Sequence, residues 1–195
     1  MSCFDERINR RCTESVKWNL YDEDVLPMWV ADMDFASPQP VIDALRERVN
    51  HGVFGYPLTP HELTEILVER MQERYDWCVD PSWIMYLPGC VPGFNLVASA
   101  ITKPGDGVLV QTPVYGPIHS APAHHDLLLQ NMLLNRDAKG YYTVDLDLMR
   151  DTIDEHTKLF LLCNPHNPVG RVFSRQELTD MAEICLANDM YIASD

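Results

Sequence analysis

The run Lys158–Cys163, KLFLLC, reads as a strand that is apolar on both faces. Such a strand persists only inside a sheet covered on both sides, the setting of parallel strands joined by helical crossovers. From residue 37 onward the chain supplies the rest of that pattern, strand-like runs alternating with helical ones. Ser37-Pro38 opens a helix in which Val41, Ala44, Leu45 and Val49 recur at helical spacing until His51-Gly52. Residues 60–75 repeat the pattern through Leu63, Ile66, Leu67 and Met71. Trp83–Leu87 reads as a strand stopped by Pro88-Gly89, followed by a helix to Thr102, a turn at 104–107 and a strand at Val108–Gln111. Asp145–Ile153 is helical, and Ser174 with Glu177 forms a capping box for a helix reaching Asn188. Met190–Ser194 is the last strand.

The expected fold is therefore α/β, a mostly parallel sheet with helices on both faces, incomplete at the C-terminus. Residues 1–50 show no strand–helix alternation and are expected to form an N-terminal arm or part of a small domain. Residues 51–195 are expected to be the first part of a large domain. The chain stops at Asp195 directly after a buried-type strand, and that end is expected to be a truncation.

Composition narrows the function classes. A net charge of −14 repels phosphate backbones and anionic lipid, so neither nucleic acid nor membrane is an expected partner. The amino-terminal MSCFDERINRRC has no apolar core and does not read as a signal peptide. The six cysteines form no CxxC pair and are expected to be reduced in a cytoplasmic protein. The seven histidines show no metal spacing, and no metal is expected.

In an open α/β sheet, ligands bind beyond the carboxyl ends of the strands. Four features fall there: Gly89-Cys90-Val91 opening a helix, Tyr115 in TPVYGP, Asn164 and Asn167 in NPHNPVG, and Asp195. The helix start suits an anion. Taken singly, each has a plainer reading. Gly89 can end a strand, Tyr115 can pack a core, NPHNPVG can be a rigid turn, and Asp195 can cap a following helix. Neither GxGxxG nor GxxxxGK[ST] is present, which disfavours dinucleotide and P-loop sites.

The stretches FDERINRRCTESVKWNLY, DVLPMWVADMDF, HGVFGYP, PGCVPG, PGDGVLVQTPVYGP, LLCNPHNPVGRVFSRQEL and YIASD occur in this order along nearly the whole chain. In them the chain resembles the aminotransferase class I/II family of pyridoxal-phosphate enzymes, fold type I. WVADMDF and His166 point to its cystathionine β-lyase-like, C–S lyase subgroup. The resemblance makes residues 51–195 the first part of a pyridoxal-phosphate-binding domain. It implies that the backbone of Cys90 and Val91 contacts the cofactor phosphate, that Tyr115 stacks on the pyridine ring and that Asn167 bonds the phenolic oxygen. Asp195 would pair with the ring nitrogen, and Tyr56 would reach the phosphate of the neighbouring subunit in a homodimer. The segment with Trp29, Asp32 and Met33 would line the substrate side.

Two departures from the subgroup pattern stand out. Gly116 occupies a place where proline is common, and the phosphate turn lacks hydroxyl residues. The family's Schiff-base lysine is not among Lys17, Lys103, Lys139 and Lys158, so no catalytic residue is expected in this chain and the 195 residues alone are expected to be inactive. The phosphate- and carboxylate-binding arginines of the family are also outside the matched region. For the longer protein the resemblance implies β-elimination from cystathionine or cysteine S-conjugates, releasing thiol, pyruvate and ammonia. An aminotransferase of the same fold, and a non-catalytic fragment or regulatory module, remain as alternatives.

Overall fold

A computed structural model describes residues 3–195. The chain divides into two compact units, one reaching Val79 and the other Asp80–Asp195. The sequence patterning suggested a boundary at residue 50, whereas the segment 51–79 clusters with the arm.

The first unit contains a 3-10 turn at Cys3–Asp5 and helices α1 (Val16–Asn19), α2 (Gln39–His51) and α3 (His61–Tyr75). Gly52, at φ 75, ends α2 in the left-handed conformation that glycine adopts without a Cβ penalty. None of the three helices has a buried residue, and Val41, Leu45 and Val49 of α2 are exposed. The amino-terminal part is tied by polar contacts instead. Arg10 bridges Asp32 at 2.5 Å and Asp34 at 2.7 Å, while Lys17 Nζ and Trp18 Nε1 each donate to Asp34 at 2.7 Å.

The second unit runs α4 (Cys90–Ile101), β1 (Gly107–Thr112), α5 (Gly116–Ser120), β2 (Leu128–Leu133), β3 (Asn135–Arg136), β4 (Tyr142–Thr143), α6 (Leu146–Thr152), β5 (Thr157–Leu162), α7 (Arg175–Ala187) and β6 (Tyr191–Ser194). Four strands form one parallel sheet in the order β2-β1-β5-β6, and β3-β4 is a separate antiparallel ribbon. Register places Val108 beside Leu159, Val110 beside Leu161, and Leu162 beside Ser194. Alternate side chains feed two cores. Val108, Val110, Leu159 and Leu161 pack with Phe94 and Ala98 of α4 and Ile118 of α5. Leu109, Phe160 and Leu162 pack with Met149 of α6 and with Met181, Ile184 and Cys185 of α7. The two-sided apolar character of KLFLLC thus arises from helices on both faces.

One expected strand does not form. Trp83–Leu87 lies partly in a 3-10 turn, Pro81–Trp83, and continues extended without a ladder partner among the described residues. An extended run becomes a strand only when a neighbour takes up its N–H and C=O groups. The fourth strand of the sheet is β2, whose pattern the sequence obscures: Gln130 and Asn131 interrupt it, and only Met132 is buried. Asp145 caps α6 by accepting from the N–H groups of Asp147 and Leu148, and the Ser174–Glu177 capping box is present at α7.

Candidate functional site at the carboxyl edge of the sheet

The chain passes from β1 to β2 on one side and then returns to place β5 on the other side of β1. The direction of strand addition therefore reverses between β1 and β5, and loops leaving that point diverge to open a crevice. Three of the expected residues sit on the carboxyl tips that surround it: Tyr115 after β1, Asn167 after β5, and Asp195 after β6.

The β5 loop ties these tips together. Asp195 N–H donates to Leu162 O at 2.8 Å, and Asn164 N–H donates to Asp195 O at 2.9 Å, extending the β5–β6 ladder past the strand ends. Asn164 Oδ1 accepts from Phe173 N–H at 3.1 Å, closing the base of the loop. The Asn167 N–H points at Cys163 Sγ, 3.4 Å away. Burial pushes the Cys163 thiol above its ordinary value, the Asp195 charge pushes the same way, and the Asn167 N–H opposes them. Cys163 is thus held as a neutral thiol beside a carboxylate.

Asp195 and Cys90 line one hollow of about 360 Å³, with Leu87, Gly93, Phe94, Val97, Ala193 and Ser194. That volume is within the range of small-molecule sites, roughly 300–1,000 Å³. Cys90 begins α4 directly after Gly89, whose φ of 151 is a conformation that L side chains rarely adopt. The first intrahelical bond of α4 is Gly93 N–H to Gly89 O, and Pro92 has no N–H. The Cys90 and Val91 N–H groups therefore precede that bond and face the positive end of the helix dipole. Backbone donors at the start of α4 and a carboxylate after β6 suit a ligand carrying an anionic group and a protonated ring nitrogen.

Val91, Tyr115 and Asn167 are not part of this hollow's lining, although Tyr115 and Asn167 stand on the same sheet edge. In the first unit, Tyr56 is fully exposed and Met33 largely so, Trp29 meets Tyr21 edge-on at 6.1 Å, and Asp32 is engaged by Arg10. Lys103 precedes β1, and Lys158 is the second residue of β5, so both lie toward the amino ends of these strands. Lys139 is in the β3–β4 turn, and Lys17 is bonded to Asp34. Phe94 and Val97 had no assigned role in the sequence reading, yet their spacing from Cys90 already put them on one helical face.

A sequence profile of the aminotransferase class I and II family matches residues 23–195. The chain belongs to that family. It is 42% identical to cystathionine β-lyase PatB of Bacillus subtilis over 98% of its own length and 51% of that protein's. Cystalysin from Treponema denticola, a structure containing pyridoxal 5′-phosphate, superposes with a TM-score of 0.88 at 33% identity, covering 97% of this chain and 50% of that one. The pyridoxal-phosphate-bound C–S lyase from Staphylococcus hominis gives a TM-score of 0.87 at 34% identity, with 98% and 50% coverage. The chain spans about half the length of the curated relatives it matches. The parallel sheet with helices on both faces is accordingly the fold type I architecture of pyridoxal-phosphate enzymes.

Proposed function

We propose that the chain is the amino-terminal part of a cytoplasmic, homodimeric C–S β-lyase that uses pyridoxal 5′-phosphate on cystathionine or related cysteine S-conjugates. The observation that carries this reading is the hollow shared by Cys90 at the start of α4 and Asp195 at the tip of β6. Its backbone donors and its carboxylate match the two charged groups of the cofactor, and named C–S lyases share the fold of the chain.

When bound, the cofactor supplies an electron sink for charge developing at the substrate α-carbon. The N–H groups of Cys90 and Val91 would hold its phosphate. Asp195 would accept a hydrogen bond from the ring nitrogen and keep it protonated, since a nearby carboxylate favours the charged form. The neutral Cys163 thiol adds no negative charge beside Asp195. Tyr115 would present its ring face to the cofactor, in the offset geometry that aromatic pairs prefer. Asn167 would donate from its side-chain amide to the phenolic oxygen. Leu87, Phe94 and Val97 give the hollow apolar lining. Trp29, Asp32 and Met33 are assigned to the substrate side, and the exposed Tyr56 to the phosphate of the partner subunit. The second unit would be the first part of the large cofactor-binding domain. Residues 1–50 would belong to the arm or small domain.

Titration of the purified chain with pyridoxal 5′-phosphate, followed by absorbance and fluorescence, tests the site. Asp195→Asn should weaken binding about tenfold or more, the loss expected for a hydrogen bond to a charged group. Equal binding by wild type and variant would remove Asp195 from the site. In the longer protein, release of pyruvate and thiol from cystathionine is the expected activity; amino transfer dependent on a keto acid, without thiol release, would overturn the lyase reading.

A further inference from the structure

His166 is 1% exposed at the centre of the β5–α7 loop, and the roles above leave it without a function. Its Nδ1 lies 3.1 Å from Cys163 O on its own loop, and its Nε2 lies 2.9 Å from Pro113 O on the loop after β1. Its backbone is fixed independently, N–H to Arg171 O at 2.6 Å and O from Gly170 N–H at 2.9 Å, and its ring meets Phe173 edge-on at 5.6 Å. The ring therefore spans the reversal point of the sheet. One end is anchored beside Cys163, and the other reaches the backbone two residues before Tyr115.

We propose that His166 is a positioning residue that holds the Tyr115 loop and the Asn167 loop at a set separation. Both ring partners are carbonyl oxygens, which only accept; a neutral imidazole carries one N–H, and the tautomer with its proton on Nε2 donates to Pro113 O at 2.9 Å. The rigid ring thus carries a donor from the β5–α7 loop across to the loop after β1. A phenyl ring fills the same space and keeps the edge contact with Phe173 but donates nothing. A glutamine amide can reach one oxygen, and its free rotations do not fix a separation. The Cα of His166 is already held through Arg171 and Gly170, so the side chain's distinct contribution is the reach to Pro113. The inference rests on reading this edge as the cofactor site, because only then does the spacing of Tyr115 and Asn167 matter for binding.

Backbone hydrogen exchange on the cofactor-free chain, comparing wild type with His166→Phe, reads the bridge without the cofactor. Exchange at Ile118 and His119, whose N–H groups bond Tyr115 O, should quicken about tenfold, as loss of a loop-anchoring bond predicts, while β1 and β5 keep their protection. Should His166→Phe fail to fold, His166→Gln is the second variant, expected to loosen the same two amides. A pyridoxal 5′-phosphate titration then joins loop to site: affinity should fall in the His166 variants and stay unchanged in Met149→Ala, which weakens the α6 side of the core alone. Unchanged exchange at Ile118 and His119, or loss of protection spread evenly over all strands in both variants, overturns the proposal. Unchanged cofactor affinity despite a loosened loop also overturns the positioning role. If wild type binds no cofactor while the loop responds as expected, the bridge stands and the reading of the site fails.

Discussion

Asp195 lies one residue beyond β6, yet its N–H and C=O are both committed to β5 and its loop, to Leu162 and Asn164. These bonds fix the Asp195 backbone at the tip of β6 independently of its side chain. Phe160 carries the most weight for stability at this scale, being fully buried against the α6–α7 face. Phe160→Ala should cost about 3–5 kcal/mol, because it removes apolar contact and leaves a cavity in a close-packed layer. A urea midpoint shifted at constant slope would measure it. Buried thiols behave alike: burial pushes Cys185 up to about 11, and Cys163 is raised by the same cause with Asp195 adding to it. Burial alone would raise Glu177, but the Arg171 guanidinium and the Ser174 N–H hold it below the ordinary carboxylate value.

Among the elements, those whose ends are written locally formed where their residues indicate. Ser174 accepts from Glu177 N–H while Glu177 reaches back to Ser174 N–H, so the start of α7 is specified within four residues. The arm depends on longer-range charge pairs. Lys17, then Trp18, then Arg10 donate to Asp34 and lower its carboxyl pKa. A group with a folded-state pKa below its unfolded value stabilises the fold above that unfolded value and loses the effect as pH falls. The arm should therefore loosen on acidification below about 4, the ordinary aspartate value. Asp34→Asn should remove most of that dependence. Near-ultraviolet circular dichroism of Trp18 and Trp29 across an acid titration reads the effect, and an unchanged acid profile in the variant would count against it.

Over the whole molecule, the cores lie in the second unit, where helices cover both sheet faces, whereas the helices of the first unit have no buried residue. A ligand taken up at the carboxyl edge joins three strand tips and stabilises the folded second unit by mass action. Pyridoxal 5′-phosphate at 100 times its dissociation constant should add about 2.7 kcal/mol. The check is a thermal melt followed by far-ultraviolet circular dichroism, with a rise in midpoint that grows with cofactor concentration. A midpoint indifferent to cofactor would sink the expectation.

The α/β class, the helices at 39–51, 61–75 and 175–187 and the loop residues Tyr115, Asn167 and Asp195 were legible in the amino acids, because periodicity, caps and proline–glycine punctuation act over a few neighbouring residues. Trp83–Leu87 has a strand's composition but joins no sheet among the described residues, while Leu128–Leu133 has a broken pattern and pairs fully with β1. Strand identity is settled by which segment reaches the ladder, and that depends on the closure of the whole sheet. The same holds for the His166 reach to Pro113 across 53 residues and for the grip of Arg10 on Asp32 and Asp34. Such contacts join positions far apart in the chain, and only packing of the complete layers brings their donors and acceptors within bonding distance.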